Sequence, residues 1–210
     1  MARNQSHGEL IEALLAQALT GRPVPRSWTN AWDVDAVYDF RRGLNTSIKT
    51  MGVRGPYVES ATVAMSDARR IFSIDCPFRM LVAPYRQLGS IKQVDQVFEF
   101  FIQGHDMAEL YGELSYEDVS AFHEGLLGFG VGQHVPARSW ARAQKTTLAG
   151  RDSAFILNPK IDSKTQRRLQ CSLRLGSLLQ HVQHRIVHAG HFYGLPLPLM
   201  IQSTPREFSL

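Results

Sequence analysis

The residues best suited to chemistry are basic and gather in the last third of the chain. Arg138, Arg142, Lys145, Arg151, Lys160, Lys164, Arg167, Arg168 and Arg174 follow one another there, with Trp140 and Phe155 among them. Cations interleaved with aromatic rings suit a nucleic acid, because cations neutralise phosphates and rings stack on bases. His181, His184, His188 and His191 come next. Their steps of three, four and three place them on one face of a helix. That face supports three readings: a solvated surface, donors to phosphate, or a zinc site through His184 and His188 at i and i+4. No carboxylate or cysteine lies close in sequence to complete a metal site. The expectation is therefore no metal and no cofactor.

Enzyme signatures are missing. The sequence has no Walker A loop, no GxGxxG, no HExxH and no GxSxG. The glycine-rich stretch 128–132 lacks a lysine. Cys76 precedes Pro77 and reads as a buried thiol. His105-Asp106 and His123-Glu124 are adjacent pairs, and adjacent residues on a helix do not face each other. The chain is expected not to be an enzyme.

The elements that must position these residues read as helices. Ser6–Leu19 opens with the Ser6/Glu9 spacing of a capping box and carries Leu10, Ile11, Leu14, Leu15 and Ala18 at helical intervals. Asp33–Met51, Val58–Phe72 and Ile91–His105 show similar spacing. Phe78–Pro84 is a strand or a buried turn. Met107–Tyr111 and Ser115–Leu127 flank Gly112 as a short helical pair. Ala154–Leu157 could be a strand, and Lys164–His191 is the longest predicted helix. Its stripe of Leu175, Leu178, Leu179, Val182, Ile186, Ala189 and Tyr193 backs the histidine face. The predicted fold class is mainly α, with an N-terminal helical unit over 1–84. A helix-turn-helix-like segment and a basic helical lobe follow over 85–210.

A chain of 210 residues with 44% hydrophobic and 20% charged side chains can bury a core without disulfides. Two cysteines cannot form a disulfide framework or a four-cysteine zinc site. The N-terminus has no signal-peptide core, and no apolar run approaches the roughly 18 residues that span a bilayer. A cytoplasmic chain without a membrane partner is expected. The net charge of +4 is unevenly spread: +1 over residues 1–75, −5 over 76–128 and +8 over 129–210. The acidic middle and the basic end imply different partners.

Gly21-Arg22-Pro23-Val24-Pro25-Arg26-Ser27-Trp28 recurs, with one insertion, as Gly132-Gln133-His134-Val135-Pro136-Ala137-Arg138-Ser139-Trp140. Proline would end one helix, serine cap the next and tryptophan anchor the turn. Such an echo would mark two related helical units. Within Val94–Leu127, a helix entering at Val94–Ile102 would precede a helix-turn-helix-like pair. Its second helix carries Glu117, Asp118 and Glu124 and no cation, which opposes contact with phosphates.

Phe98–Leu127, followed by Gly132, Val135, Pro136, Ser139 and Trp140, resembles the FlhC-type transcriptional activators of flagellar systems and conjugative elements. The resemblance implies DNA binding, often with a partner subunit. Flagellar members carry a C-terminal four-cysteine zinc site. This chain has one cysteine in that half, so no zinc role transfers.

These observations lead to a cytoplasmic regulator that binds double-stranded DNA. Arg138, Arg142, Lys145, Arg167, Arg168 and Arg174 would hold phosphates, with His181, His184 and His188 assisting. Glu113, Glu117 and Asp118 would meet a protein partner or a second copy. The alternative is a protein-interaction module, an adaptor or inhibitor from a mobile element, using the acidic 94–127 hairpin.

Overall fold

The computed structural model describes residues 6–24, 32–53, 58, 60–65 and 67–202. Helices and strands are mixed along them. Helix α1 (Ser6–Thr20) leads to β1 (Asn45–Gly52), β2 (Thr62–Met65) and α2 (Ala68–Phe72). Strands β3 (Phe78–Leu88), β4 (Ile91–Val94) and β5 (Val97–Ile102) come next. Three helices follow: α3 (Gly104–Tyr111), α4 (Tyr116–Leu127) and α5 (His134–Ala149). The rest is β6 (Phe155–Ile161), β7 (Arg167–Arg174), α6 (Leu175–His181), β8 (His184–Val187), β9 (Gly190–Phe192), β10 (Leu195–Leu197) and β11 (Leu199–Gln202).

The chain divides into two interleaved units. Unit 1 comprises Met1–Ala61, Pro77–Ile102 and Val182–Leu210; unit 2 comprises Thr62–Cys76 and Gln103–His181. The expected boundary at residue 84 falls inside β3.

Unit 1 is built on a sheet of order β11-β4-β3-β5-β8, with β1 alongside β3. The β1/β3 pair is parallel, with Asn45 opposite Phe78 and Gly52 opposite Tyr85. A parallel pair needs a long connection, and residues 53–77 supply it. Ile11, Leu15 and Leu19 of α1 pack on Ile48, Leu81, Ala83 and Val97, all fully or almost fully buried. Burying each such large apolar side chain contributes about 1.5–3 kcal/mol. Glycine at position 8 lets α1 lie close to β1, since a Cβ there would stand 2.8 Å from Thr50 Oγ1.

The same unit holds a charged core. Arg79 is fully buried. Its Nη1 donates to Glu99 Oε1 at 3.1 Å, its Nε to Thr46 Oγ1 at 3.2 Å, and its Nη2 to Asp39 Oδ2. Tyr193 donates to Glu99 Oε1 at 3.0 Å. Arg185 Nη2 lies 2.6 Å from Glu99 Oε2, an ion pair without the alignment of a hydrogen bond. Two acids and two guanidinium groups thus balance.

Unit 2 has a three-stranded antiparallel sheet, β2-β7-β6. Its alternation is clean: Leu169, Cys171 and Leu173 are buried, while Arg168 and Arg174 are exposed. The buried side packs with Val119, Phe122 and Leu126 of α4. Phe72 stacks on Tyr111 at 4.4 Å and tilts against Phe155 at 5.1 Å. Ser115 and Asp118 form the capping box that starts α4.

The mainly α expectation is overturned. Three of the long predicted helices are broken by strands. Asp33–Met51 contains β1 after a 3-10 turn at Ala36–Tyr38, Ile91–His105 is chiefly β4 and β5, and Lys164–His191 breaks into β7, α6, β8 and β9. Val58–Phe72 holds β2 and one short helix. The cause is two-sided burial. Val97–Ile102 is buried on both faces, so its apolar residues satisfy helical and strand spacing alike. The helix expected to enter at Val94–Ile102 is β5, although α3, the Gly112 turn and α4 do form a short helical pair. Ser139 lies inside α5 and caps nothing. Residues 25–28 of the first echo lie outside the described residues. Cys76 is exposed, not buried.

Candidate nucleic-acid interface

Helix α5 carries the cations of the candidate interface. Pro136 sits in its first turn, where a missing amide proton breaks no helical hydrogen bond. Ala137 and Ala141 are buried and small, and α5 packs on β6. Trp140 fixes the other side: its ring meets Phe122 at 5.6 Å and Phe129 at 5.8 Å. Arg138, Arg142 and Lys145 follow at i, i+4 and i+7. They therefore share a face and stand about 6 and 10 Å apart along the axis, at about 1.5 Å per residue.

These three side chains line a groove of about 410 Å³ with Asn158, Pro159, Lys160 and Ile161 of β6. Lys160 lies directly opposite Arg168 in the β6/β7 register, so both project from the same side of the sheet. The groove has no acidic lining residue. Arg138 Nη2 donates to the Ile161 carbonyl at 3.0 Å, and Lys145 Nζ to Asn158 Oδ1 at 3.5 Å. These neutral partners orient the cations without cancelling their charge. Among the described residues, no ion pair engages Arg138, Arg142, Lys145, Lys160 or Arg168. Such a row produces a positive potential suited to successive phosphates.

The other expected contacts are placed elsewhere. Arg167 is buried, and its guanidinium donates to the carbonyls of Asp162 (2.9 Å), Gln166 (2.8 Å) and Gly130 (3.1 Å). It braces two loops. Arg174 projects from the sheet side of Arg168 and donates to the Ser153 carbonyl. The histidine face does not form, because the helix ends at His181. His181 Nδ1 is 3.3 Å from Glu109 Oε2. His184 lies in β8, with its ring 5.7 Å from Phe100. His188 is in a connection and His191 in β9. Among the described residues, no three His, Cys, Asp or Glu side chains come together as a metal site.

The acidic trio is divided between structure and surface. Asp118 caps α4 and pairs with Arg151. Burial opposes its ionisation, but the Ser115 amide and hydroxyl together with Arg151 outweigh that and hold its carboxyl below the usual range. Glu113 Oε2 accepts from the Asp152 amide at 3.2 Å. Glu117 is exposed. His105 Nε2 does reach its neighbour Asp106 Oδ1, at 3.3 Å, although adjacent residues were expected to diverge. Asp106 is meanwhile the capping-box acid of α3.

Sequence reasoning named Arg138, Arg142 and Lys145 and placed Lys160 in the same basic region, and the structure brings these four into one groove. That reasoning missed the Lys160/Arg168 pairing, whose signal was the alternation of polar and apolar residues over 167–174. No helix among the described residues is long and apolar enough to cross a membrane. Compared with protein-family models, curated proteins and solved structures, the chain has no match.

Proposed function

We propose that the chain binds the backbone of double-stranded DNA through the α5/β6 groove. One observation carries this reading: Arg138, Arg142, Lys145 and Lys160 line a single groove with Arg168 abreast of Lys160, and no acid intervenes. The resemblance to FlhC-type activators adds regulation of transcription as the setting. The cytoplasm is the compartment that suits a DNA ligand, and both cysteines are free thiols. A protein partner or a second copy has its own candidate surface on α4, where Glu117 stands beside exposed Tyr116 and within one helix of exposed Leu127.

The test is binding to a random labelled duplex across a salt series, with heparin as competitor. Four or five phosphate contacts give a slope of log affinity against log salt of about −4. Charge reversal at Arg142, Lys145 and Lys160 should weaken binding on every sequence and flatten the slope by about one per residue. Arg167→Glu is unsuitable, because it would bury a carboxylate among carbonyls. The absence of any salt-sensitive complex at low salt would refute the reading.

A further inference from the structure

The seam between α5 and β6, all of it in unit 2, changes character along its length. Arg138 meets the Ile161 carbonyl and Lys145 meets Asn158, so the helix and the strand run in opposite directions. Strand β6 reads Phe-Ile-Leu and then Asn-Pro-Lys-Ile. Its second half borders the basic groove. Its first half borders a separate hollow of about 90 Å³ beside the end of α5. Leu114, Leu148, Phe155 and Leu157 wall this hollow. Leu148 is half-buried and the other three are buried. Lys145 and Leu148 stand at i and i+3, so they share one face of α5.

Lys145, Arg151 and Arg174 also line the hollow, and no acidic side chain does. Arg151 is already neutralised, since it pairs with Asp118 and donates to the Glu113 carbonyl. Lys145 and Arg174 donate to neutral oxygens, Asn158 Oδ1 and the Ser153 carbonyl. Among the described residues, no ion pair engages either of them. Two such cations beside an apolar wall make an amphipathic site, in which a few polar groups fix orientation and the wall supplies affinity. Lys145 is also the one residue that lines both the hollow and the groove.

We propose that this hollow binds a short-chain aliphatic monocarboxylate, and that the bound ligand loosens the chain's hold on DNA. The site stands on its own geometry; the effect on DNA rests on the reading that the groove binds phosphates. The carboxylate pairs with Lys145 and Arg174, whose donors its two oxygens can accept together. The hydrocarbon end lies against Leu114, Leu148, Phe155 and Leu157. Size sets the class. An apolar cavity of about 150 Å³ accommodates benzene, so a hollow of about 90 Å³ takes a chain of about three or four carbons and not a ring. A neutral or cationic molecule of the same shape leaves both cations unpaired. Lys145 cannot serve a carboxylate and a phosphate together at full strength. Each ligand therefore lowers the affinity of the other by the same factor.

The experiment uses the full chain with sodium butyrate, followed by saturation-transfer NMR of the butyrate signals at an ionic strength held constant with sodium chloride. Saturable binding is expected, with affinity rising about fourfold for each CH₂ from acetate through propionate to butyrate. Butylammonium and 1-butanol should bind about tenfold more weakly or worse, the scale of one lost charge-assisted hydrogen bond. Arg174→Met and Leu148→Phe should each weaken butyrate by about tenfold, and Arg174→Lys should keep most of the affinity. All three variants should bind duplex like the wild type when no carboxylate is present. Leu148→Phe fills the hollow without touching a cation, so it decides the matter even where loss of the Arg174 brace costs stability. Saturating butyrate should weaken duplex binding about fivefold or more relative to chloride and flatten the salt slope by about one. Absence of saturable butyrate binding overturns the site and leaves the DNA reading intact. Binding that survives both Arg174→Met and Leu148→Phe overturns its location. Benzoate binding more tightly than butyrate, or butanol binding equally well, overturns the ligand class. Butyrate binding that leaves DNA affinity unchanged upholds the site and overturns the coupling. Arg174-dependent butyrate binding in a chain that binds no duplex upholds the site and removes the groove reading.

Discussion

Arg79 is the residue whose loss should be felt most. It is the only cation hydrogen-bonded to both Asp39 and Glu99 among the described residues, and all three are buried. Arg79→Leu would leave two carboxylates in the core, with Arg185 reaching only Glu99. Removing one partner from a buried pair costs about 3–5 kcal/mol, so chemical denaturation should show a loss of that size. Double replacement of Arg79 and Asp39 by apolar residues should recover part of it. Nothing in the sequence announced this network. Asp39, Arg79 and Glu99 are far apart in the chain, and Glu99 within Val-Phe-Glu-Phe-Phe-Ile looks like the exposed position of a helix. The ion pair of Lys49 Nζ with Asp33 Oδ2, at 3.3 Å, was hidden similarly, because the spacing over 33–51 read as one helix rather than as a strand beside a bridge at Val34.

Two glycines govern how the elements of unit 2 fit. Gly125 of α4 lies under Trp140, where a Cβ would come 2.2 Å from the ring. Gly112 closes α3 with φ of 57° and ψ of −122°, and a Cβ there would stand 2.2 Å from the Asp152 carbonyl oxygen. Gly125→Ala must displace the tryptophan that seats α5, and Gly112→Ala must move backbone. We expect losses of about 1–3 kcal/mol for the first, as for other overpacked sites, and a larger loss for the second. Melting of both variants checks the order. At this scale the sequence was legible where caps and turns were local. The Gly112 stop ends α3 and the Ser115/Asp118 box starts α4, as expected, and α1 ends at Thr20, one residue beyond the expected helix. Long-range pairing was not legible. Leu169, Cys171 and Leu173 alternate visibly, yet the leucine stripe beginning at Leu175 drew the whole segment into one helix. Asn45–Gly52 gains its strand only from pairing with Phe78–Tyr85.

For the molecule as a whole, pH and thiol chemistry report stability. Burial, and secondarily Asp67, pushes the Cys171 thiol up from 9.0 to about 12. Burial, with Cys171 nearby, also raises the Tyr111 hydroxyl above its ordinary range. A folded pKa above the unfolded one means stability that is complete below about pH 9 and is lost as pH rises toward 12. The melting temperature should therefore fall across that interval, and fall less in Cys171→Ala. In the native protein a thiol reagent should modify exposed Cys76 alone, with Cys171 reacting only on unfolding.

The parallel β1/β3 pair and the β5/β8 pair bracket the two segments of unit 2. Val97 cannot meet Val187 until the chain from Gln103 to His181 has been made. On the ribosome, then, β5 must wait with one edge open while the entire second segment of unit 2 emerges. Loop-closure entropy favours the nearer contacts of unit 2 first. The order of synthesis thus makes the unit that begins the chain the last to be completed, and its unpaired strand edge is the nascent polypeptide's point of exposure to aggregation.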